Sequence, residues 1–224
     1  MTGTTPLPDV QGLEDEEAKR LLRTHLRAIR AQHSPKDRAR EAHMFAQHGE
    51  EAVADVRTVA AYVSEPGEPD TSQLLGALSG RGVRILLPVL GPGLARAWAY
   101  YRGEDDLQRR APGRPPEPSG PILPADAIRH AEAIITPGLA VDGLGTRLGQ
   151  GAGWYDRMLA LIEPDVPTFT MVFEHEVLRD YLLPCAEFDI PIKAVITPSE
   201  WFLLEGSPIN KAARALAESA ALAR

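Results

Sequence analysis

The sequence contains a single cysteine, Cys185, among its 224 residues. One thiol cannot form an internal disulfide, so we expect a protein of the reducing cytoplasm, with Cys185 as a packing residue beside Pro184. No apolar run approaches the roughly 20 residues that a membrane span needs. Residues 1–13 lack the basic start and apolar core of a signal peptide, and we expect a disordered tail there.

Positive charge is also in the minority, with 24 Lys and Arg residues against 31 Asp and Glu residues and a net charge of −7. This balance disfavours a nucleic-acid-binding protein, which usually presents a basic face. It is compatible with a local basic pocket for the phosphates of a small molecule. The length suits one domain that can bury a substantial core.

Two common phosphate-binding motifs are missing as well. The chain has no G-x-x-x-x-G-K-[ST] sequence, which excludes a P-loop of the usual kind. Its glycines at 149, 151 and 153 do not follow the dinucleotide pattern G-x-G-x-x-G, and no acidic residue stands at the expected later position. Any nucleotide site must therefore be built differently.

The sequence does contain a glycine-dense stretch, Ile134–Leu159. The apolar run Ala133–Ile135 predicts a buried strand that stops at the breaker Pro137-Gly138. Five glycines then surround Arg147, and apolar residues return at helical spacing from Trp154. We therefore predict a strand, a long glycine loop and a helix.

These residue types suit a nucleotide-phosphate loop. Glycines let main-chain N–H groups approach a ligand closely, and a helix N-terminus favours an anion. Arg147 adds a planar cationic fork, and Asp156 can face a metal ion or complement the helix dipole. The alternative is a flexible surface loop whose glycines serve only turns.

The stretch PGLAVDGLGTRLGQGAGWYDRML resembles the signature of the 5-formyltetrahydrofolate cyclo-ligase family, also called methenyltetrahydrofolate synthetases. The chain departs from the family pattern at Val141, Ala152 and Trp154. The matching residues are Pro137, Gly138, Asp142, Gly145, Arg147, Leu148, Gly149, Gly151, Gly153, Tyr155 and Asp156. So long a match at fixed spacing is specific.

Outside this stretch the resemblance implies further site residues. Lys19-x-x-Leu22-Arg23 resembles the family's opening helix, whose lysine and arginine reach nucleotide phosphates. Spacing alone places Lys19, Arg23, Arg27 and Arg30 on one helix face, and a solvated charged face remains open. Glu68-Pro69-Asp70-Thr71 resembles the element whose glutamate faces the folate, although Glu68 by itself reads as a turn residue.

The family's second metal-binding aspartate corresponds to Asp189, in a stretch that resembles Val-Pro-x-x-x-x-Asp. Lys193 stands just beyond it, where an acidic residue is common. The family also carries a Gly-x-x-x-x-Glu-Pro element, and Gly113–Pro118 is compatible with it. Trp98, Tyr100 and Tyr101 could line a folate pocket, although packing is commoner for such residues.

Helical and apolar patterns alternate along the chain. We expect helices over Glu14–Gln32, from Pro35 to about Ala54, over Ser72–Leu78 and, alanine-rich, from Ser207. We expect buried strands at Thr58–Val63, Val83–Leu90, Ala133–Ile135, Pro167–Phe173 and, last, Ala194–Thr197, with an edge strand at Trp98–Tyr101. The alternation predicts an α/β fold with a largely parallel sheet.

The resemblance implies a three-layer α/β/α fold like that of sugar-phosphate isomerases and CoA transferases. We expect one domain over residues 14–204 and a helical extension over 205–224, with a monomer favoured. The implied partners are small molecules, a reduced folate and ATP, with Mg²⁺ as cofactor and neither nucleic acid nor membrane.

The implied reaction is the ATP-dependent conversion of 5-formyltetrahydrofolate to 5,10-methenyltetrahydrofolate, with release of ADP and phosphate. Catalytic roles fall to Arg147, Lys19 and Tyr155, folate contacts to Glu68 and Tyr155, and Mg²⁺ to Asp156 and Asp189. The expected nucleotide-binding residues are Lys19, Arg23, Arg147, Leu148, Gly149, Gln150, Gly151, Ala152, Gly153, Trp154 and Asp156. A non-catalytic folate- or nucleotide-binding protein and a phosphosugar isomerase of the same fold are the alternatives.

Overall fold

A computed structural model describes residues 6–110 and 112–204. The α-helices are α1 (Asp15–Arg30), α2 (Pro35–Ala52), α3 (Ser72–Gly80) and α4 (Trp154–Leu159). The strands are β1 (Thr58–Ala60), β2 (Arg84–Leu90), β3 (Arg96–Tyr100), β4 (Leu107–Gln108), β5 (Glu117–Pro118), β6 (Ala133–Pro137), β7 (Ala140–Asp142), β8 (Arg147–Leu148), β9 (Thr168–Met171), β10 (Val177–Leu178), β11 (Ala194–Ile196) and β12 (Trp201–Leu203). The alanine-rich helix expected from Ser207 lies outside the described residues.

The central sheet has seven strands in the order β12-β11-β9-β6-β1-β2-β3. Its five inner strands are parallel, and the antiparallel strands β3 and β12 form the two edges. Successive residues of the inner strands β1, β6, β9 and β11 are buried although they point to opposite faces, so the sheet is covered on both sides. The predicted largely parallel α/β fold is confirmed. The prediction that Ala194–Thr197 is the last strand is wrong, because β12 follows it.

The main core lies between this sheet and its helices. Phe45 of α2 and Leu74 and Leu78 of α3 are fully buried against the strands, together with Ile134 of β6. Trp98 of β3 is also fully buried, and its indole N–H donates to the carbonyl of Ala125 at 3.0 Å. Burying these side chains is the main stabilising contribution to the fold.

A second, smaller core fixes α1 on the glycine-rich segment. Leu22 and Leu26 of α1 pack on Leu139 and Leu148 of that segment. Leu7 and Val10 join the same cluster, so the described part of the expected N-terminal tail is packed. This cluster turns the cationic side of α1 toward the glycine-rich segment.

The prediction of one long glycine loop after β6 is wrong over residues 140–148. Strand β6 continues through Pro137, and β7 and β8 then form an antiparallel hairpin. The buried carboxylate of Asp142 accepts N–H groups of Leu144 and Thr146 at the hairpin tip. Gly145 closes this turn with a φ of +88°, which favours glycine.

Two further expectations bear on the surface. Cys185 is exposed, so its predicted packing role is wrong. In the part of the chain that the structure describes, no helix is long and apolar enough to cross a membrane.

Candidate active site

A cavity of about 980 Å³ opens where the parallel strands β1, β2 and β6 end. Tyr62 follows β1, Pro88 and Leu90 close β2, and Pro137 ends β6; all four line the cavity. Residues of helix α1 and residues 147–156 also line this cavity. Ligands of open α/β sheets bind at this edge, beyond the carboxyl ends of the strands.

The cationic residues of α1 contact the glycine-rich segment directly. Arg23 Nε donates to the carbonyl of Gly149 at 3.0 Å. Arg27 Nη2 donates to the carbonyl and the side-chain oxygen of Gln150, at 3.0 and 2.9 Å. Arg23 is partly buried by its contact, whereas Arg27 stays exposed, so the alternative of a solvated charged face fails for Arg23 only.

Lys19 is a buried cation that faces the cavity from α1. Its side chain is 5% exposed, and its Nζ lies 2.5 Å from Oδ2 of Asp189, whose side chain is 20% exposed. The same oxygen accepts the N–H of Ala186 at 2.8 Å. The predicted phosphate ligand and the predicted metal ligand therefore neutralise each other.

Arg147 makes a second pair of this kind. Its Nη2 donates to Oδ1 of Asp156 at 2.8 Å, and its Nη1 donates to the carbonyl of Pro137 at 3.1 Å. The guanidinium carbon lies 5.9 Å from the centre of the Tyr155 ring. A Cβ on Gly149 would lie 2.7 Å from Arg147 Nη1, so glycine is needed there to admit the guanidinium.

The segment between Arg147 and α4 offers main-chain donors. The N–H groups of Gly151, Ala152 and Gly153 donate no hydrogen bond to the described residues. Gly151 and Gly153 have φ values of +109° and +58°. Helix α4 has six residues and is shorter than its apolar spacing suggested, so the donors belong mainly to the turn that precedes it.

Glu68 and Tyr155 lie on the cavity wall, as the resemblance implied. Glu68 accepts Gln150 Nε2 at 2.7 Å and the N–H of Glu65 at 2.9 Å. Burial raises the pKa of the Glu68 carboxyl despite these hydrogen bonds. Burial also raises the pKa of the Tyr155 hydroxyl well above its usual value, and this hydroxyl donates to the carbonyl of Ala61 at 3.3 Å.

The two aspartates expected to bind Mg²⁺ both line the cavity. Each has one oxygen without a hydrogen bond from the described residues, Oδ2 of Asp156 and Oδ1 of Asp189. Among those residues no cluster of three or more His, Cys, Asp or Glu could hold a metal. Mg²⁺ commonly uses one or two carboxylates together with water and substrate phosphates, so this donor set fits it.

The aromatic residues at 98, 100 and 101, which were considered for a folate pocket, lie outside the cavity. Trp98, Tyr100 and Tyr101 are absent from its lining, so packing is the correct alternative for them. Trp154 does line it, and its ring also packs edge-to-face on Trp98 with centroids 4.8 Å apart. Lys193 lies elsewhere, because its ammonium binds the carbonyls of Pro164 and Val166.

Sequence reasoning missed two cavity residues, Arg30 and Glu117. Arg30 is 3% exposed, and its Nε donates to Oε1 of the fully buried Glu176 at 2.6 Å. Its Nη2 also binds the carbonyl of Gly138. The periodicity of α1 placed Arg30 on the cationic face, but nothing in the sequence identified Glu176 as its partner.

The comparisons with known proteins agree with this architecture. A 5-formyltetrahydrofolate cyclo-ligase of Mycolicibacterium smegmatis is 38% identical over 147 residues, which are 63% of this chain and 74% of that protein. The enzyme of the same name from Escherichia coli K12 is 35% identical over 156 residues, covering 66% and 84%.

A solved structure and a family model extend the similarity to the fold and to most of the chain. The NMR structure of Aquifex aeolicus 5,10-methenyltetrahydrofolate synthetase superimposes with a TM-score of 0.70 at 24% identity, covering 83% of this chain and 92% of that one. The family model described as the 5-formyltetrahydrofolate cyclo-ligase family matches residues 15–198. The chain therefore belongs to the 5-formyltetrahydrofolate cyclo-ligase family.

Proposed function

We propose that this protein catalyses the ATP- and Mg²⁺-dependent cyclisation of 5-formyltetrahydrofolate to 5,10-methenyltetrahydrofolate, releasing ADP and phosphate. The observation that carries the proposal is the convergence of Lys19, Arg23 and Arg147 on one cavity beside the free amides of residues 151–153. In a member of this family, such a donor set suits a triphosphate.

The chemical problem is that an amide-like formyl oxygen is a poor leaving group. Transfer of the γ-phosphoryl group of ATP to that oxygen breaks the terminal P–O bond and releases ADP. N10 of the folate then attacks the activated carbon and loses its proton. The C–O bond breaks with its electron pair on the phosphate, which leaves the methenyl cation bridging N5 and N10. No protein nucleophile is needed, so positioning and charge neutralisation supply the catalysis.

The cationic wall would hold the nucleotide. Lys19, Arg23 and Arg147 neutralise phosphate charge, and the amides of residues 151–153 donate to phosphate oxygens. Arg147 is held on two sides, by Asp156 and by the carbonyl of Pro137, so its guanidinium is already oriented before a ligand arrives. Leu148, Gly149, Gln150 and Trp154 shape this wall.

Asp156 and Asp189 would hold Mg²⁺ through the oxygens that the described residues leave free. When bound, the ion would neutralise charge on the phosphates during transfer. Binding there competes with the ion pairs to Arg147 and Lys19, because each aspartate already faces a cation.

Glu68 and Tyr155 would contact the folate. Glu68 is oriented by Gln150 of the nucleotide wall and by the N–H of Glu65, so it can present its remaining lone pairs to folate N–H groups. Tyr155 contributes its ring, since its hydroxyl is already engaged by Ala61.

A turnover assay tests the proposal. Purified protein, 5-formyltetrahydrofolate, Mg²⁺ and ATP are mixed, and the near-UV absorbance of the methenyl product is followed. We expect product only when ATP and Mg²⁺ are both present. Folate binding without turnover would support the non-catalytic alternative, and indifference to folate would support an isomerase.

A further inference from the structure

Asp142 is a buried carboxylate at the tip of the β7–β8 hairpin, and the proposed mechanism does not use it. Its Oδ1 accepts the N–H groups of Leu144 and Thr146, which closes the hairpin turn. Its Oδ2 accepts the N–H of Leu183 at 3.0 Å, from a segment 41 residues further along the chain. Among the described residues no cation pairs with this carboxylate. Asp142 therefore joins the hairpin to a second segment through main-chain N–H groups.

This second segment is the connection between β10 and β11, residues 179–193, which contains Leu183 and also carries Asp189. The hairpin holds the connection at another point, because the N–H of Ile192 donates to the carbonyl of Gly145 at 2.9 Å. A Cβ on Gly145 would collide with the carbonyl oxygen of Ile192, so this close approach requires glycine. Asp189 lies between the two attachment points and lines the cavity.

Between its attachment points the connection is largely exposed to solvent. Glu187 and Phe188, which precede Asp189, are both exposed. Oδ2 of Asp189 accepts the N–H of Ala186, but Ala186 belongs to the same connection and moves with it. The position of Asp189 at the cavity therefore depends on its ion pair with Lys19 and on the two attachments to the hairpin.

The same hairpin also supports the other aspartate of the proposed cation site. Arg147, the first residue of β8, donates to Oδ1 of Asp156 at 2.8 Å. The hairpin thus holds Asp156 through Arg147, and it holds the connection that carries Asp189 through Asp142. Mg²⁺ demands near-ideal octahedral geometry, so its affinity is sensitive to how its carboxylate ligands are spaced.

We propose that Asp142 is a positioning residue. Its carboxylate, together with the carbonyl of Gly145, fixes residues 179–193 so that Asp189 and Asp156 can both reach one divalent cation. The inference rests on the proposed function, because it concerns the cation site of that function. Substituting residues that orient metal ligands typically weakens metal binding about 10- to 100-fold.

Asp142→Asn tests the first attachment. The amide oxygen can still accept the N–H groups of Leu144 and Thr146, which preserves the hairpin turn. The amide NH₂ group then faces the N–H of Leu183, donor against donor, so the bond to the connection is lost. Gly145→Ala loosens the second attachment and keeps the inference testable if Asp142→Asn does not fold.

Two control variants separate positioning from general effects. Leu78→Ala leaves a cavity in the main core, on α3, and lowers stability there. Glu187→Gln removes an exposed negative charge from the same connection without changing an attachment. Thermal unfolding checks that each protein is folded at the temperature of the binding experiments.

Mn²⁺ is the probe, because it binds the same oxygen ligands as Mg²⁺. Its dissociation constant is measured by calorimetric titration into the complex with ADP, with protein in excess over ADP. The dissociation constant of ADP alone is measured in EDTA. Hydrogen exchange over residues 184–192, followed by mass spectrometry, reports directly on the connection.

We expect Asp142→Asn to bind Mn²⁺ about tenfold more weakly than wild type and to exchange faster over residues 184–192. Gly145→Ala should also bind Mn²⁺ more weakly. ADP in EDTA should bind Asp142→Asn no more weakly than wild type, because the proposed nucleotide contacts are unchanged. Leu78→Ala and Glu187→Gln should keep the wild-type affinity for Mn²⁺.

A wild-type affinity for Mn²⁺ in folded Asp142→Asn overturns the inference, as does a matching loss in Leu78→Ala or Glu187→Gln. An equal loss of ADP affinity in EDTA also overturns it, because the whole site would then be damaged. If the wild type turns over 5-formyltetrahydrofolate while Asp142→Asn keeps its Mn²⁺ affinity, only the inference fails. If the wild type binds no Mn²⁺ in the ADP complex, the proposed function fails and the inference with it.

Discussion

The ion pair between Lys19 and Asp189 leads to a prediction about how Mg²⁺ and ATP depend on each other. Nζ of Lys19 and Oδ2 of Asp189 are 2.5 Å apart and largely shielded from water, so a phosphate that approaches Lys19 also approaches the negative charge of Asp189. Without Mg²⁺ that carboxylate repels ATP, whereas a bound Mg²⁺ would neutralise it. We therefore expect wild-type protein to bind ATP weakly in EDTA and more tightly with Mg²⁺.

Asp189→Asn removes the competing charge and keeps an oxygen that can accept the N–H of Ala186. A hydrogen bond to a charged group contributes about 1.5–3 kcal/mol, which corresponds to about 10- to 100-fold in affinity. The variant should bind metal-free ATP more tightly than wild type by up to this factor. It should gain little from Mg²⁺, because a carboxylate ligand is gone.

The same change should lower stability. Lys19 would keep its charge in a buried position without a counter-ion, and breaking a buried pair in this way costs up to about 3–5 kcal/mol. Binding should therefore be measured well below the unfolding temperature, which a thermal scan of each protein provides. Glu187→Gln, an exposed carboxylate on the same loop, is the matched control for loss of one negative charge.

The assay is calorimetric titration of ATP in excess EDTA and in excess Mg²⁺ for wild type, Asp189→Asn and Glu187→Gln. The reasoning is refuted if folded Asp189→Asn binds metal-free ATP no more tightly than wild type. It is also refuted if Glu187→Gln shows the same gain, since the effect would then be one of net charge.

Three further predictions concern other contacts of the site. Arg147→Lys keeps the charge but cannot bind Asp156 and the carbonyl of Pro137 together. We expect kcat to fall about 100-fold while the unfolding temperature changes little. A near-normal kcat would contradict the role of the guanidinium. Arg30→Met leaves the carboxylate of Glu176 buried without its cation. The free energy of unfolding, measured in urea, should fall by about 3–5 kcal/mol. A loss below about 1 kcal/mol would show that the ion pair is dispensable. Burial raises the pKa of Glu68 in the folded state, so Glu68 contributes most to folding stability below its unfolded-state pKa and loses that contribution as pH rises through its folded-state pKa. The free energy of unfolding of wild type relative to Glu68→Gln should therefore fall over that pH interval. A rise would contradict the direction of the shift.

The secondary structure was largely predictable because its signals are local. Acidic residues at the start of α1, basic residues at its end and the Leu22 and Leu26 stripe specify that helix without help from the rest of the chain. Strand β12 was not predicted because Trp201–Leu203 is short, half exposed and paired on one side only. The β7–β8 hairpin was not predicted because its glycines suggested a loop, whereas the carboxylate of Asp142 accepts hydrogen bonds that stabilise its turn.

The residues of the candidate site also differ in whether the sequence predicted their contacts. Arg147 and Asp156 are nine residues apart in the glycine-rich segment, and both were expected at the site, although their direct hydrogen bond was not. Lys19 and Asp189 are 170 residues apart, and both were expected at the site, but their direct pairing was not. Glu117 was only part of a compatible Glu-Pro element until the fold placed its buried carboxylate on the cavity wall.

The amino-acid sequence by itself determined the alternating strands and helices, the family signature around Arg147 and the residue types available for binding phosphate. Only the tertiary structure decided which cation faces which carboxylate. The physical reason is that helix and turn preferences act over a few residues. Ion pairing and burial depend instead on the distances between segments that meet only when the sheet and α1 are assembled.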